Sequence, residues 1–209
     1  MENGLLTEIQ WSNYSNTCAA IDEYNNIRIF NHNNSNYNLP FSNQGKITTI
    51  SWSYQSDILA IGTLNSILTL FSNKTQKNTS IQIKDFNQII EKIVWNKFSE
   101  EICLISNDNQ IIVMNINEDL EVSTVFSSQI NFSFQNVTFL NKSEILLNNK
   151  EGEIYLISKD SQKYLTTMLI PVSFIYCTNA IKNQIITISS DNIFSIFQLT
   201  EKVLLKKLD

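Results

Sequence analysis

Trp11, Trp52 and Trp95 stand 41 and 43 residues apart in this 209-residue chain, and each closes a short apolar run. The runs are Leu6 to Trp11, Ile47 to Trp52 and Ile90 to Trp95. A polar turn follows each, then a second apolar run: Cys18 to Ile21, Ile58 to Gly62, Ile102 to Ile105. Another turn leads to a third: Ile27 to Phe30, Ile67 to Phe71, Ile111 to Met114. The interval from each Trp to the last large apolar residue is 19 in all three cases, ending at Phe30, Phe71 and Met114. Chance rarely keeps such a spacing three times. Self-similarity at a fixed period marks a stack of equivalent supersecondary units.

Two weaker copies follow. In the fourth, Asn136 to Phe139 is the first run, with Phe139 in the Trp position, and Ile145 to Leu147 and Ile154 to Ile157 supply the next two. In the fifth, Val172 to Tyr176, Ile185 to Ile188 and Ile193 to Phe197 keep the order. A fainter fourth strand is expected in each unit, near Tyr37 to Phe41, Thr79 to Ile83, Val122 to Phe126, Tyr164 to Leu169 and Val203 to Leu208. The pattern therefore predicts an all-β chain of five four-stranded units with almost no helix. Their approximate bounds are 5–42, 43–85, 86–128, 129–169 and 170–209, forming one domain over 1–209. One four-stranded unit cannot cover both of its faces, so the units must stack. Strands covered on both faces read as near-continuous apolar runs, as in Ile58-Leu59-Ala60-Ile61, whereas the first strand alternates, as in Ile50-Ser51-Trp52.

The best single copy runs Ile47-Thr48-Thr49-Ile50-Ser51-Trp52-Ser53, Asp57-Ile58-Leu59-Ala60-Ile61-Gly62-Thr63 and Ile67-Leu68-Thr69-Leu70-Phe71. In period and strand order the chain resembles the WD-repeat β-propellers over nearly its whole length, whose repeats span about 40–45 residues. No Gly-His pair opens a repeat and no Trp-Asp pair closes one, and His32 is the only histidine. The family's internal histidine network is therefore not carried over. Such degenerate repeats are similar to the propellers of large scaffolds of the coat, intraflagellar-transport and ubiquitin-ligase kinds. Five units are fewer than the about seven blades common in the family, within the range propellers use. This implies an open or incomplete ring, completed by another chain or by downstream sequence.

Composition narrows the chemistry. There are 28 Asn but only 4 Gly and 2 Pro, so Asn is expected at many positions where φ must be positive. Arg28 is the only arginine, net charge is −5, and the one basic stretch is the short Lys202 to Lys207. A surface that neutralises many phosphates needs clustered cations, so direct nucleic-acid binding is disfavoured. Cys18, Cys103 and Cys177 form no CxxC pair, and their odd number suits reduced thiols in cytoplasm or nucleus. Residues 1–4 carry no signal-peptide pattern, and the longest apolar stretch, around Met168 to Cys177, is too short to span a membrane.

No Gly-based phosphate loop, nucleophile elbow, zinc helix or EF-hand loop is present, so no enzyme activity, cofactor or metal is expected. His32 lies in a polar loop without metal-ligand spacing, and Cys18 and Cys103, seven and eight residues after their Trp, read as equivalent small buried hydrophobes. The three tryptophans read as packing anchors. The turns between second and third strands carry Asp22, Glu23 and Tyr24, then Asp108, Glu151 and Asp191. These are candidates for an acidic interaction rim, although Asp and Asn also suit turn geometry in their own right, and that reading is preferred. The function expected is a non-catalytic protein-interaction scaffold whose partners are other protein subunits. The rivals are a nucleic-acid-associated subunit acting through partner proteins, and an enzyme with its site at the propeller channel.

Overall fold

A computed structural model describes the chain except for residues 1–3, 33–35, 40, 42–44, 56, 85–88, 150, 152, 161–162, 170–174, 182–183, 190–193, 201–203 and 209, with side chains described through residue 160. The described residues form twenty strands in five antiparallel sheets, each made of four consecutive strands, and no helix. The chain falls into two compact units, Met1–Ser127 and Ser128–Asp209.

The first unit holds three blades. The first comprises β1 (Leu6–Trp11), β2 (Thr17–Asp22), β3 (Ile27–Asn31) and β4 (Tyr37–Leu39). The second comprises β5 (Ile47–Trp52), β6 (Ile58–Thr63), β7 (Ile67–Ser72) and β8 (Asn78–Gln82). The third comprises β9 (Ile90–Trp95), β10 (Glu101–Ser106), β11 (Gln110–Ile116) and β12 (Val122–Gln129). In the second unit the fourth blade is β13 (Asn136–Phe139), β14 (Glu144–Asn148), β15 (Glu153–Ser158) and β16 (Lys163–Leu169). The fifth is β17 (Ile175–Ile181), β18 (Gln184–Ser189), β19 (Phe194–Thr200) and β20 (Leu204–Leu208). The first strand of the fifth blade lies later than the run Val172 to Tyr176 suggested. It continues to Ile181 because Ala180 and Ile181 pair with Ile185 and Gln184, while residues 172–174 lie outside the described residues.

The middle strands of a blade are apolar at every position because the two faces serve two different neighbours. On β6, Leu59 and Ile61 join Ile50, Trp52 and Phe71 in a core shared with Ala19, Ile21, Ile27 and Ile29 of the first blade. Ile58 and Ala60, with Leu68 and Leu70, face the other way into a core with Ile93, Trp95, Ile102 and Leu104 of the third. Alternation along the strand thus separates a front face, turned to the preceding blade, from a back face turned to the next. Each such buried aliphatic contributes about 1.5–3 kcal/mol relative to exposure. The fourth strand sits at the sheet edge, and β8 alternates exposed with half-buried residues.

Backbone details repeat with the same period. β1, β5, β9 and β17 each carry a bulge in their first three residues, at 6/8, 47/49, 90/92 and 175/177. A bulge re-aims the extra residue: the Thr48 hydroxyl, at such a position, donates to the Ile90 carbonyl in the next blade. In the first four blades the residue at the end of the third strand, or just after it, donates its N–H to the turn between the first and second strands. The pairs are His32 to Asn16, Asn73 to Asp57, Ile116 to Glu100 and Lys159 to Ser143. His32 therefore occupies a backbone position of the repeat, with an exposed side chain.

Candidate interaction surface

The turns between second and third strands share one construction with different residues. A side-chain oxygen at the end of the second strand accepts the N–H four residues on: Asp22 from Asn26 at 2.9 Å, Thr63 from Ile67 at 3.1 Å, Ser106 from Gln110 at 3.1 Å, and Asn149 from Glu153 at 2.8 Å. The residue three on has positive φ in the first three, with Asn25 at 69°, Ser66 at 57° and Asn109 at 63°. These caps satisfy turn donors that neighbouring strands cannot reach. The Asn excess was expected to fill positive-φ positions, yet only Asn25 and Asn109 do so among seven such non-Gly residues described. Asn96, Asn117, Asn141 and Asn149 act instead as side-chain acceptors for turn N–H groups. The amide geometry, more than tolerance of φ, explains their use here.

This construction decides what the proposed rim residues do. Asp22 does not face solvent: it is 2% exposed. Its carboxylate accepts from the Tyr24 and Asn26 N–H groups and the Asn26 amide, and pairs with Arg28 at 3.4 Å. Burial alone would raise the Asp22 carboxyl, but the Asn26 and Tyr24 hydrogen bonds and the Arg28 charge outweigh it and hold it below the usual carboxylate value. Glu23 is exposed and accepts the Leu5 N–H, and Tyr24 beside it is 58% exposed. Asp108 is half-buried and accepts the Ser106 hydroxyl, Glu151 is exposed, and Asp191 lies outside the described residues.

The cysteines are not equivalent. Cys18 pairs across the sheet with Trp11, but Cys103 pairs with Val94, the residue before Trp95. A one-residue offset turns a side chain to the opposite face, so Cys18 looks to the front of its blade and Cys103 to the back. Neither is in a disulfide and both are buried, and burial pushes the Cys18 thiol up. Among the described residues no group of three or more His, Cys, Asp or Glu is placed to hold a metal ion. Nor is any helix there long and apolar enough to cross a membrane.

The tryptophans divide sharply. Trp52 is 4% exposed and donates its indole N–H to the Gln10 carbonyl at 3.1 Å; Trp95 is 3% exposed and donates to the Ser51 carbonyl at 3.1 Å. Gln10 and Ser51 are equivalent, each preceding the Trp of the previous blade. Trp11 departs from the packing role expected of it: it is 67% exposed. Around it Leu6 and Ile9 are about half exposed, at 47% and 52%, and Leu5, Tyr14 and Tyr24 are also open. Six of the ten exposed large hydrophobics described belong to this one blade, so the patch is concentrated and not scattered.

The equal Trp spacing hid this difference. What could have revealed it is the rest of the front face. Where the second blade has Leu59, Ile61 and Thr69, and the third Ile102, Leu104 and Ile112, the first has Cys18, Ala20 and Arg28. Small residues and the one arginine stand where the later blades have mostly bulky aliphatics.

The first and second blades are also joined by polar groups. Asp57, buried at φ 54°, accepts the Ser15 hydroxyl at 2.6 Å, the Ser12 hydroxyl at 3.3 Å and the Asn73 amide at 2.7 Å. The Tyr37 hydroxyl donates to Asn73 at 2.6 Å. Serine, asparagine and tyrosine thus build the inter-blade network without a histidine.

In the first unit three four-stranded blades stack front to back with a tryptophan crossing both seams, the arrangement of a β-propeller. The chain is similar to the β-propeller domain of Cps50 (Swd1) from Myceliophteria thermophila, with a TM-score of 0.72 and 13% identity, over 99% of this chain and 71% of that one. No family model and no curated protein matches the sequence. At that identity the likeness establishes the propeller fold.

Proposed function

We propose that the chain is a non-catalytic interaction scaffold of the WD-repeat type, a propeller-bearing subunit or N-terminal part of a larger multiprotein assembly of coat-like, intraflagellar-transport-like or ubiquitin-ligase-like kind. The observation that carries this reading is the concentrated apolar exposure on the first blade, Leu6, Ile9 and Trp11 above all. Apolar exposure concentrated on one blade marks a surface made to be covered. Its partners are other proteins: the net charge of −5 and the single arginine supply no phosphate-binding surface. The turns that carry Glu23, Tyr24 and Asp108 in the first unit are a second place for contact, with Asp22 serving its turn. Two buried thiols outside any disulfide accord with a cytoplasmic or nuclear setting.

The test is the size of the native species. A tagged chain purified from its own cells should migrate in a stoichiometric complex well above the mass of 24.1 kDa. A chain that elutes alone at its monomer mass from gently lysed cells defeats the reading.

A further inference from the structure

We propose that Tyr14, Tyr54 and Phe98 form a docking platform for a proline-rich segment of a partner protein; this rests on the scaffold reading above and gives it a ligand class. All three lie in the first unit, each in the turn between the first and second strands of its blade. Tyr14 and Phe98 stand three residues after Trp11 and Trp95, and Tyr54 two after Trp52. They are 66%, 47% and 39% exposed, whereas turns are mostly built from Gly, Pro, Asn, Asp and Ser. The turns beneath them are braced to one another. Ser15, next to Tyr14, donates its hydroxyl to the Asp57 carboxylate at 2.6 Å. The Gln55 N–H, next to Tyr54, donates to the hydroxyl of Ser99, next to Phe98, at 2.7 Å. The aromatic rings are therefore presented one per blade on tied turns, at the end of the blades opposite the turns of Glu23 and Asp108.

Spacing and chemistry choose the occupant. Packed sheets lie about 10 Å apart, and a polyproline II helix repeats every three residues, about 9.3 Å. Such a helix sets one proline against one aromatic ring at each turn, the mode by which aromatic-lined surfaces take proline-rich segments. It has no internal hydrogen bonds, so its carbonyls take donors from outside, and the exposed Tyr14 and Tyr54 bring hydroxyls. Charge sets the direction. In the turn after its third strand the second blade carries exposed Lys74 and Lys77, and the third carries exposed Glu118, Asp119 and Glu121. Lys97, 5.0 Å over the Phe98 ring, is balanced by the exposed Glu100 in the same turn. The segment therefore carries basic residues at the end that reaches the third blade. The same acids repel the phosphates of a nucleic-acid strand, the other ligand that stacks on aromatic rows.

The experiment is fluorescence anisotropy with the full chain and a labelled peptide of about nine prolines, three turns of the helix, followed by a pair of arginines. The expected result is saturable binding that Tyr14→Ala, Tyr54→Ala and Phe98→Ala each weaken by about tenfold or more, as loss of an anchoring aromatic does. Each variant should keep the parent's urea midpoint. Replacing Glu118 and Asp119 together by lysine should weaken binding by about threefold or more, the effect of exposed charge pairs. A peptide with alternating glycine and serine in place of the prolines should bind about tenfold more weakly or worse; equal affinity would mean that charge alone is read, and overturns the inference. No saturable binding overturns it, as does binding that the ring variants leave unchanged. So does an oligouridylate that binds through the same rings more tightly than the peptide. Failure on any of these counts leaves the scaffold reading standing, because that reading is decided by the size of the native complex.

Discussion

Trp11 and Trp52 are the same residue at the same place in two adjoining blades, yet one is 67% exposed and the other 4%. Within the first unit the strand, the register and the cross-strand partner position are alike. What differs is the cover of the ring: the first blade's strand lies against Trp52, and Trp11 is open. A repeat position therefore fixes where a side chain points, while burial depends on the neighbour it points at. The consequence is energetic: Trp52 and Trp95 hold this unit together, and the exposed Trp11 adds little to it.

The most direct way to break this comparison is to truncate the three rings in turn. Trp52→Ala and Trp95→Ala should each destabilise by about 3–5 kcal/mol, the range for large aromatics removed from cores. Trp11→Ala should stay within about 0.5 kcal/mol, as exposed substitutions do. Chemical denaturation of the isolated chain measures all three. A Trp11→Ala variant as damaged as Trp52→Ala would mean that its ring is covered. Acrylamide quenching gives a companion readout, with one emitter of three freely accessible.

The polar side of the same seam should be the next largest effect. Asp57→Ala strips the acceptor from Ser12, Ser15 and Asn73 at once, across the boundary between first and second blades. Hydrogen bonds to a charged group contribute about 1.5–3 kcal/mol, and the orphaned donors add to the loss. A destabilisation of about 2–3 kcal/mol is expected in urea melts. An Asp57→Ala midpoint equal to the parent's would show that the two blades are held by apolar contact alone.

Gly62 sharpens the comparison on the packing side. A Cβ there would meet the Ile90 Cγ2 at 2.7 Å and its Cβ at 3.0 Å, with the Thr49 methyl at 3.0 Å. The Ile90 Cβ sits on the backbone and cannot swing away, so the first strand of the third blade must shift. Gly62→Ala should cost about 1–3 kcal/mol, the usual range for overpacking. An unchanged or raised stability would mean that the seam is looser than the buried residues imply.

Much of the fold was legible because the signal was periodic. The Trp spacing and the repeated apolar runs placed the first three strands of the first four blades, and β1, β5 and β9 end on the expected tryptophans. Faces were harder to read. Cys18 and Cys103 looked equivalent at seven and eight residues from Trp, yet that single residue sends them to opposite sides of their blades. Asp22 looked like a surface acid because it stands in an acidic turn, but the side chain closes that turn from within. Short-range composition cannot tell an acid that faces solvent from one that caps a loop, because both want the same residue. The exposure of Trp11 was hidden for a different reason: it is a property of the neighbour, which the blade's own residues record only weakly, in Cys18, Ala20 and Arg28.

The smallest effect expected is one of pH, and it sets two carboxylates of the first blade against each other. Asp22 is held below the ordinary carboxylate value, burial being outweighed by the Asn26 and Tyr24 hydrogen bonds and Arg28. Glu8, half-buried, is pushed above it by burial, which the Gln10 amide and the Ile50 N–H only partly offset. Linkage gives these shifts opposite signs. The folded state binds the Asp22 proton more weakly than the unfolded chain does. Its stabilisation is therefore complete above the unfolded value of about 3.9 and is lost as pH falls towards the folded value. The folded state binds the Glu8 proton more tightly. Stability therefore declines as pH rises from the unfolded value of about 4.3 through the folded one, and the cost is complete above it. Asp22→Asn should lower the urea midpoint at pH 7 and approach the parent's curve at strongly acid pH. Glu8→Gln should leave that acid limb alone and raise the midpoint slightly at pH 7, removing the gentle fall between mildly acid and neutral pH. A Glu8→Gln variant less stable than the parent at pH 7 would show that its hydrogen bonds to Gln10 and Ile50 outweigh its burial.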